Sequence, residues 1–148
     1  KMKKSKRLAV LAKLAGLYEK QQLARLQVAQ TEELRHRQAL DQLAEYRKEY
    51  ETSALSNTST ELQSGILQNF SRFMADLGAA STLQQQQLEG SESVSREEAR
   101  QWQLLYSREE AMQQLVENAR RDERCSEEKR RALEMEDQWA ATTQRHLK

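Results

Sequence analysis

Any chemistry in this sequence would have to come from its cysteine, histidine and carboxylate side chains, and their spacing does not assemble a reactive site. His36 and His146 lie far apart, and Cys125 is near neither. A zinc centre needs three or four converging His, Cys or carboxylate ligands, so no metal site is expected. Cys125 stands among Arg121, Arg124, Glu127 and Glu128 and reads as a surface thiol rather than a nucleophile. As the single cysteine of the chain it leaves no intramolecular disulfide, which fits a reducing compartment. Gly65 and Gly90 belong to neither a Walker loop nor a dinucleotide fingerprint. Carboxylates are abundant, but on solvated helix faces they lack the cleft that shifts a catalytic pKa. The expectation is a protein that is not an enzyme and uses no cofactor.

Charge narrows the partners. Net charge is only +1, so no polybasic or polyacidic character dominates the chain. The exception is local. Lys1, Lys3, Lys4, Lys6, Arg7 and Lys13 precede the first acid, Glu19. That run reads either as a solvated helix start or as contact with an acidic partner or an anionic membrane surface. Without an aromatic platform or motif beside it, nucleic-acid binding is not expected. No apolar run approaches the roughly 20 residues of a spanning helix and no signal peptide is visible, so the expectation is a soluble protein with at most peripheral membrane association.

The elements that carry these residues follow from composition. Proline is absent, 37% of residues are apolar and 32% are charged. Gln, Glu, Arg, Lys and Ala dominate, and these lose little freedom in a helix. Such a chain reads as a coiled coil rather than a globule. Apolar residues recur at helical spacing from Leu8 through Leu11, Leu14, Leu17, Tyr18, Leu23, Leu26, Leu34, Leu40, Leu43, Tyr46 and Tyr50. Gln30, Thr31 and Arg37 interrupt that seam, which predicts a loose pairing with a fixed register. The polar stretch from Ser53 to Thr60 ends the pattern, and Thr58 with Glu61 has the spacing of a capping box. A second stripe runs through Leu62, Ile66, Phe70, Phe73, Leu77 and Ala80. It continues through Leu83 and Leu88 and resumes at Trp102, Leu105, Tyr106, Met112, Leu115, Val116, Ala119, Leu133 and Trp139. The weakest stretch, Glu89 to Ser95, leaves open one helix or two segments broken near Gly90. One continuous helix is favoured because a single Gly costs only ~1 kcal/mol.

The predicted architecture is all-α, a single long antiparallel two-helix coiled-coil hairpin. Helix 1 spans about 5–55, the turn about 56–60, and the longer helix 2 about 61–145. At 1.5 Å per residue these helices measure roughly 75 Å and roughly 130 Å, so pairing should reach about residue 110 and the remainder of helix 2 should overhang. The overhang alternates acid and base at i, i+3 and i+4 spacing, which supports an isolated helix. It does not explain Trp139, which suggests docking into a partner, although a fold-back contact would also satisfy it. Near the turn the sequence offers more apolar surface than one narrow seam consumes: Tyr46 and Tyr50 share a face, as do Phe73 and Leu77. The surplus predicts an exposed aromatic patch.

The run Leu43-Ala44-Glu45-Tyr46-Arg47-Lys48-Glu49-Tyr50, followed by Asn69-Phe70-Ser71-Arg72-Phe73-Met74-Ala75-Asp76-Leu77, resembles the flagellar export protein family FliJ. The similarity extends over essentially the whole chain, including its basic leucine-rich start and the charged tail. Ala39, Gln84 and the Gly90–Ser95 stretch depart from the family's pattern. The resemblance implies a cytoplasmic component of the flagellar type III export apparatus, peripheral at the cytoplasmic face of the inner membrane and monomeric when isolated. It further implies a stalk and chaperone escort that couples the hexameric export ATPase ring to the cytoplasmic subunit of the membrane export gate, with export chaperones as further partners. Leu43, Tyr46, Tyr50, Phe73, Leu77 and Ala80 then fall at the family's gate-binding positions. For ring contact the charged overhang is the candidate, with Arg120, Arg121, Arg124, Arg130, Arg131 and Trp139. The equivalent stalk of a virulence injectisome and a generic dimerising coiled-coil adaptor are the alternative readings.

Overall fold

With no proline to remove a backbone donor, long stretches of strong helix formers stay helical. The structure, a computed structural model, describes residues 2–56 and 64–147. They form two helices, α1 (Lys4–Ser56) and the longer α2 (Ser64–Leu147). The fold is all-α, and among the described residues there is no strand, no cis peptide and no residue at positive φ. Gly90 lies inside α2, which runs unbroken past it. The expected turn and the Thr58–Glu61 capping box, like Leu62, fall outside the described residues. The paired helices divide into two units, Gln21–Trp102 and Lys1–Lys20 with Gln103–Lys148.

In the unit Gln21–Trp102 the helices run antiparallel. Gln22 Nε2 donates to the Glu98 carbonyl at 3.2 Å and also to its carboxylate. Gln84 Nε2 donates to the His36 carbonyl at 3.1 Å and meets His36 Nδ1 at 3.0 Å, and the Tyr50 ring stacks on Phe70. Shielded positions alternate in steps of three and four: Gln22, Leu26, Ala29, Glu33, His36, Leu40 and Leu43 on α1. On α2 they are Phe70, Met74, Leu77, Ser81, Gln84, Leu88, Ser91, Ser95, Glu98 and Trp102. That spacing is the 3.5-residue repeat of a coiled coil. Its membership is mixed, however: leucines share the seam with Ala, Ser, Gln, Glu and His.

The second unit repeats the pattern. Ser5, Leu8, Ala12, Ala15 and Glu19 on α1, with Leu105, Glu109, Met112, Val116, Ala119 and Glu123 on α2, are the shielded positions. Small residues allow close approach, so even the carboxylate of Glu109 lies 3.1 Å from where a Cβ on Gly16 would sit. α1 has no acidic residue in its own first turn. Glu123 supplies one from α2, accepting from the Ser5 amide at 3.1 Å and from Ser5 Oγ at 2.7 Å. A carboxylate there satisfies an otherwise orphaned helix-start N–H and complements the helix dipole.

Two expectations are corrected by this register. Leu11, Leu14, Leu17, Tyr18, Leu34, Ile66, Leu83 and Tyr106 are exposed rather than in the seam. Two paired helices bury one narrow stripe on each, whereas the leucines are spread over several faces. Gln30, Thr31 and Arg37 therefore do not interrupt it: all three are exposed, and Arg37 pairs with Glu33 and Glu92. Pairing also extends beyond residue 110, as the Ser5–Glu123 contact shows. Tyr50 already faces Phe70, several residues into α2, so the partner of each α1 residue lies further along α2 than a tight turn would place it.

Candidate binding surfaces

In the unit Gln21–Trp102, residues 46 and 50 lie one helical turn apart on α1, and residues 70 and 73 are likewise neighbours on α2. Antiparallel pairing brings their four rings together. Tyr50 stacks on Phe70 with centroids 5.4 Å apart and an interplanar angle of 8°, and it meets Phe73 at 4.3 Å. Tyr46 sets its ring edge-on to Phe73 at 5.9 Å and 71°. The Tyr50–Phe70 and Tyr46–Phe73 pairs have the offset and edge-to-face geometries that aromatic quadrupoles favour, while the Tyr50–Phe73 pair is tilted at 46°. Half of Tyr46 (50%) nevertheless remains exposed.

The six residues singled out in the sequence thus occupy different environments. Leu77 is in the seam and only 7% exposed, so it supports the surface from behind. Leu43, Tyr50 and Phe73 are half-buried, while Tyr46 and Ala80 face solvent. Beside the rings opens a groove of about 550 Å³, lined by Tyr50, Ala54, Leu55, Ile66, Phe70 and Met74 among others. Ala54 and Leu55, in the last turn of α1, belong to that groove although neither was singled out as a site residue in the sequence. Their signal was the continuation of the three-and-four spacing from Tyr50 to Ala54.

In the other unit, Arg120, Arg121, Arg124, Arg130, Arg131 and Trp139 are all exposed. From residue 128 to 147 every α2 residue is exposed, with no seam position among them. Ion pairs along one helix stand in for a partner there: Arg130 bonds Glu127 at 2.8 Å and reaches Glu134 at 4.0 Å, and Arg131 lies 3.8 Å from Glu127. Each such exposed pair contributes only ~0.3–0.5 kcal/mol. Arg145 and His146 in the last turn complement the negative end of the helix dipole.

Titration shifts are local and have structural causes. The Ser5 hydroxyl and amide hold the Glu123 carboxyl below the usual carboxylate range. Gln101 and then Arg100 do the same for Glu97, and Arg35 for Glu32. A hydrogen bond to Glu110 raises Tyr106. None of these groups converges with a nucleophile, and Cys125 is exposed. Among the described residues, no group of three or more His, Cys, Asp or Glu is placed to hold a metal ion. No helix among them is long and apolar enough to cross a membrane.

Compared with known families, residues 3–145 match the sequence model of the family described as "Flagellar FliJ protein". No curated protein and no solved structure matches the chain.

Proposed function

Because the chain belongs to the flagellar FliJ protein family, and is therefore a protein related to flagellar export, we propose that it serves as the cytoplasmic stalk of the export apparatus. In this reading it is a non-catalytic protein that links the export ATPase ring to the cytoplasmic subunit of the membrane export gate and escorts export chaperones. The observation that carries it is the aromatic cluster. Tyr46, Tyr50, Phe70 and Phe73 form a rigid, partly exposed patch beside an open apolar groove. Rigid aromatic anchors of this kind concentrate binding energy at protein interfaces. Leu43, Tyr46, Tyr50, Phe73 and Ala80 would meet the gate subunit, with Leu77 holding the ring-bearing turns in place.

The exposed stretch of α2 that includes Arg120, Arg121, Arg124, Arg130, Arg131 and Trp139 would contact the ATPase ring. Exposed cations and a large unpaired indole suit an interface with an acidic-rimmed apolar lining. Replacing Tyr46, Tyr50 and Phe73 by Ala should abolish gate capture in a pull-down while the helical circular dichroism remains. Undiminished capture by that variant would reduce the cluster to packing alone. Truncation after Ala119 should lower stimulation of the ATPase. An unchanged rate would remove the ring contact from the proposal.

A further inference from the structure

The unit Lys1–Lys20 with Gln103–Lys148 has a surface that neither the seam nor the export reading uses. Val10, Leu11, Leu14, Leu17 and Tyr18 on α1 are each at least 44% exposed. The seam of α1 here is Ser5, Leu8, Ala12, Ala15 and Glu19. At 100° per residue, Val10, Leu14 and Leu17 fall diametrically opposite that seam, with Leu11 and Tyr18 along one margin. On the other margin Lys6, Lys13 and Lys20 recur every seven residues and are all exposed. Arg7 extends the basic character onto the apolar ridge itself. The only acid up to residue 31 is Glu19, which is buried on the seam side. α1 is therefore a helix with two apolar faces: one small-residue face turned to α2, and one leucine-rich face turned to water.

We propose that this outer face of α1, from Lys6 to Lys20, docks the protein on an anionic lipid surface. Two features favour lipid over a partner helix. First, the charge is a spaced row of flexible lysines with no exposed acid interleaved on this stretch. That suits a diffuse sheet of negative headgroups, whereas helix partners pair charges of both signs across a seam. Second, the face is the convex ridge of one helix. Two grooves among the described residues of this unit are lined by α2, joined in one case by Lys3, and a packed helix needs a groove to receive its ridges. An interfacial helix needs what is present here: leucines to enter the acyl boundary, a tyrosine with a polar tip at its edge, and lysine stems that snorkel to the headgroups. The inference stands independently of the gate and ring assignments.

Flotation of the full chain with vesicles tests it. Vesicles of phosphatidylglycerol and phosphatidylcholine should capture the protein at low salt and release it as salt rises, while phosphatidylcholine alone should not. The variant Leu14→Ser/Leu17→Ser changes only exposed positions and should keep its helical circular dichroism while partitioning on the order of ten-fold less. Lys6→Gln/Lys13→Gln/Lys20→Gln should lose about five-fold for each lysine removed. Equal capture by neutral and anionic vesicles, or variants that float like the wild type, would overturn the proposal. So would a wild-type chain that ignores anionic vesicles yet binds a glutamate-rimmed amphipathic peptide, since the face would then be a protein-docking surface.

Discussion

Leu83 and Leu88 have the same chemistry, lie on the same helix within the unit Gln21–Trp102, and differ only in where the seam passes. Leu88 is 6% exposed and Leu83 is 57% exposed. Truncating leucine to alanine removes roughly three methylenes, each worth about 0.8 kcal/mol when fully buried. At Leu88 almost all of that is lost, so Leu88→Ala should destabilise by about 2 kcal/mol. The value lies at the low end for core leucines, because a cavity in a two-helix seam opens to water. At Leu83 less than half of the side chain is shielded, part of that shielding persists in the unfolded chain, and alanine is the better helix former. Leu83→Ala should therefore stay within about 0.5 kcal/mol of wild type. Urea denaturation followed by far-ultraviolet circular dichroism reads both values, with the slope expected to stay constant. Equal losses at the two positions would refute the register, and a larger loss at Leu83 would place the seam on the leucine-rich face.

Three further predictions follow from the same register. A Cβ at Gly78 or Gly90 meets nothing within 4 Å and neither residue has positive φ, so Gly78→Ala and Gly90→Ala should each stabilise by about 0.5–1 kcal/mol in a thermal melt. Replacing the buried Gln22 and its partner Glu98 together by Leu should raise stability and produce self-association visible by analytical ultracentrifugation, because polar seam pairs specify partner and register. The Glu123 carboxyl titrates below its unfolded value, so its hold on the start of α1 is complete above the unfolded pKa and disappears as pH falls through the folded one. Protection of the Ser5 amide, read as its exchange relative to the intrinsic rate at each pH, should fall in acid for the wild type, whereas Glu123→Ala should show low protection already at neutral pH and respond little to acid.

The helices themselves were legible in the sequence: a proline-free chain of Gln, Glu, Arg, Lys and Ala has few other options, and the longer second helix follows from where the polar Ser53–Thr60 stretch lies. The aromatic cluster was also legible, since Tyr46, Tyr50, Phe70 and Phe73 are spaced one turn apart on their helices. The seam was not. Hydrophobicity draws attention to Leu11, Leu14, Leu17 and Leu83, but in an antiparallel pair the contact stripe is chosen by how closely two backbones approach. Ala12, Ala15, Ser91 and Ser95 permit that approach and carry almost no apolar signal. From Ser5 to Ala29 the seam steps by three and four through Leu8, Ala12, Ala15, Glu19, Gln22 and Leu26, a mixture of small, polar and leucine residues that no single residue type marks. The reach of the pairing is hidden for a related reason: residue count fixes helix length, while the offset between Tyr50 and Phe70 fixes which residues meet.

The central claim is that this chain joins two different partners through separate surfaces. Size-exclusion chromatography of the full chain mixed with the export ATPase and the gate's cytoplasmic subunit tests it most directly. One peak should contain all three, and with Tyr46→Ala/Tyr50→Ala/Phe73→Ala the peak should keep the ATPase and drop the gate subunit. A variant that retains both partners, or loses both at once, would contradict the claim.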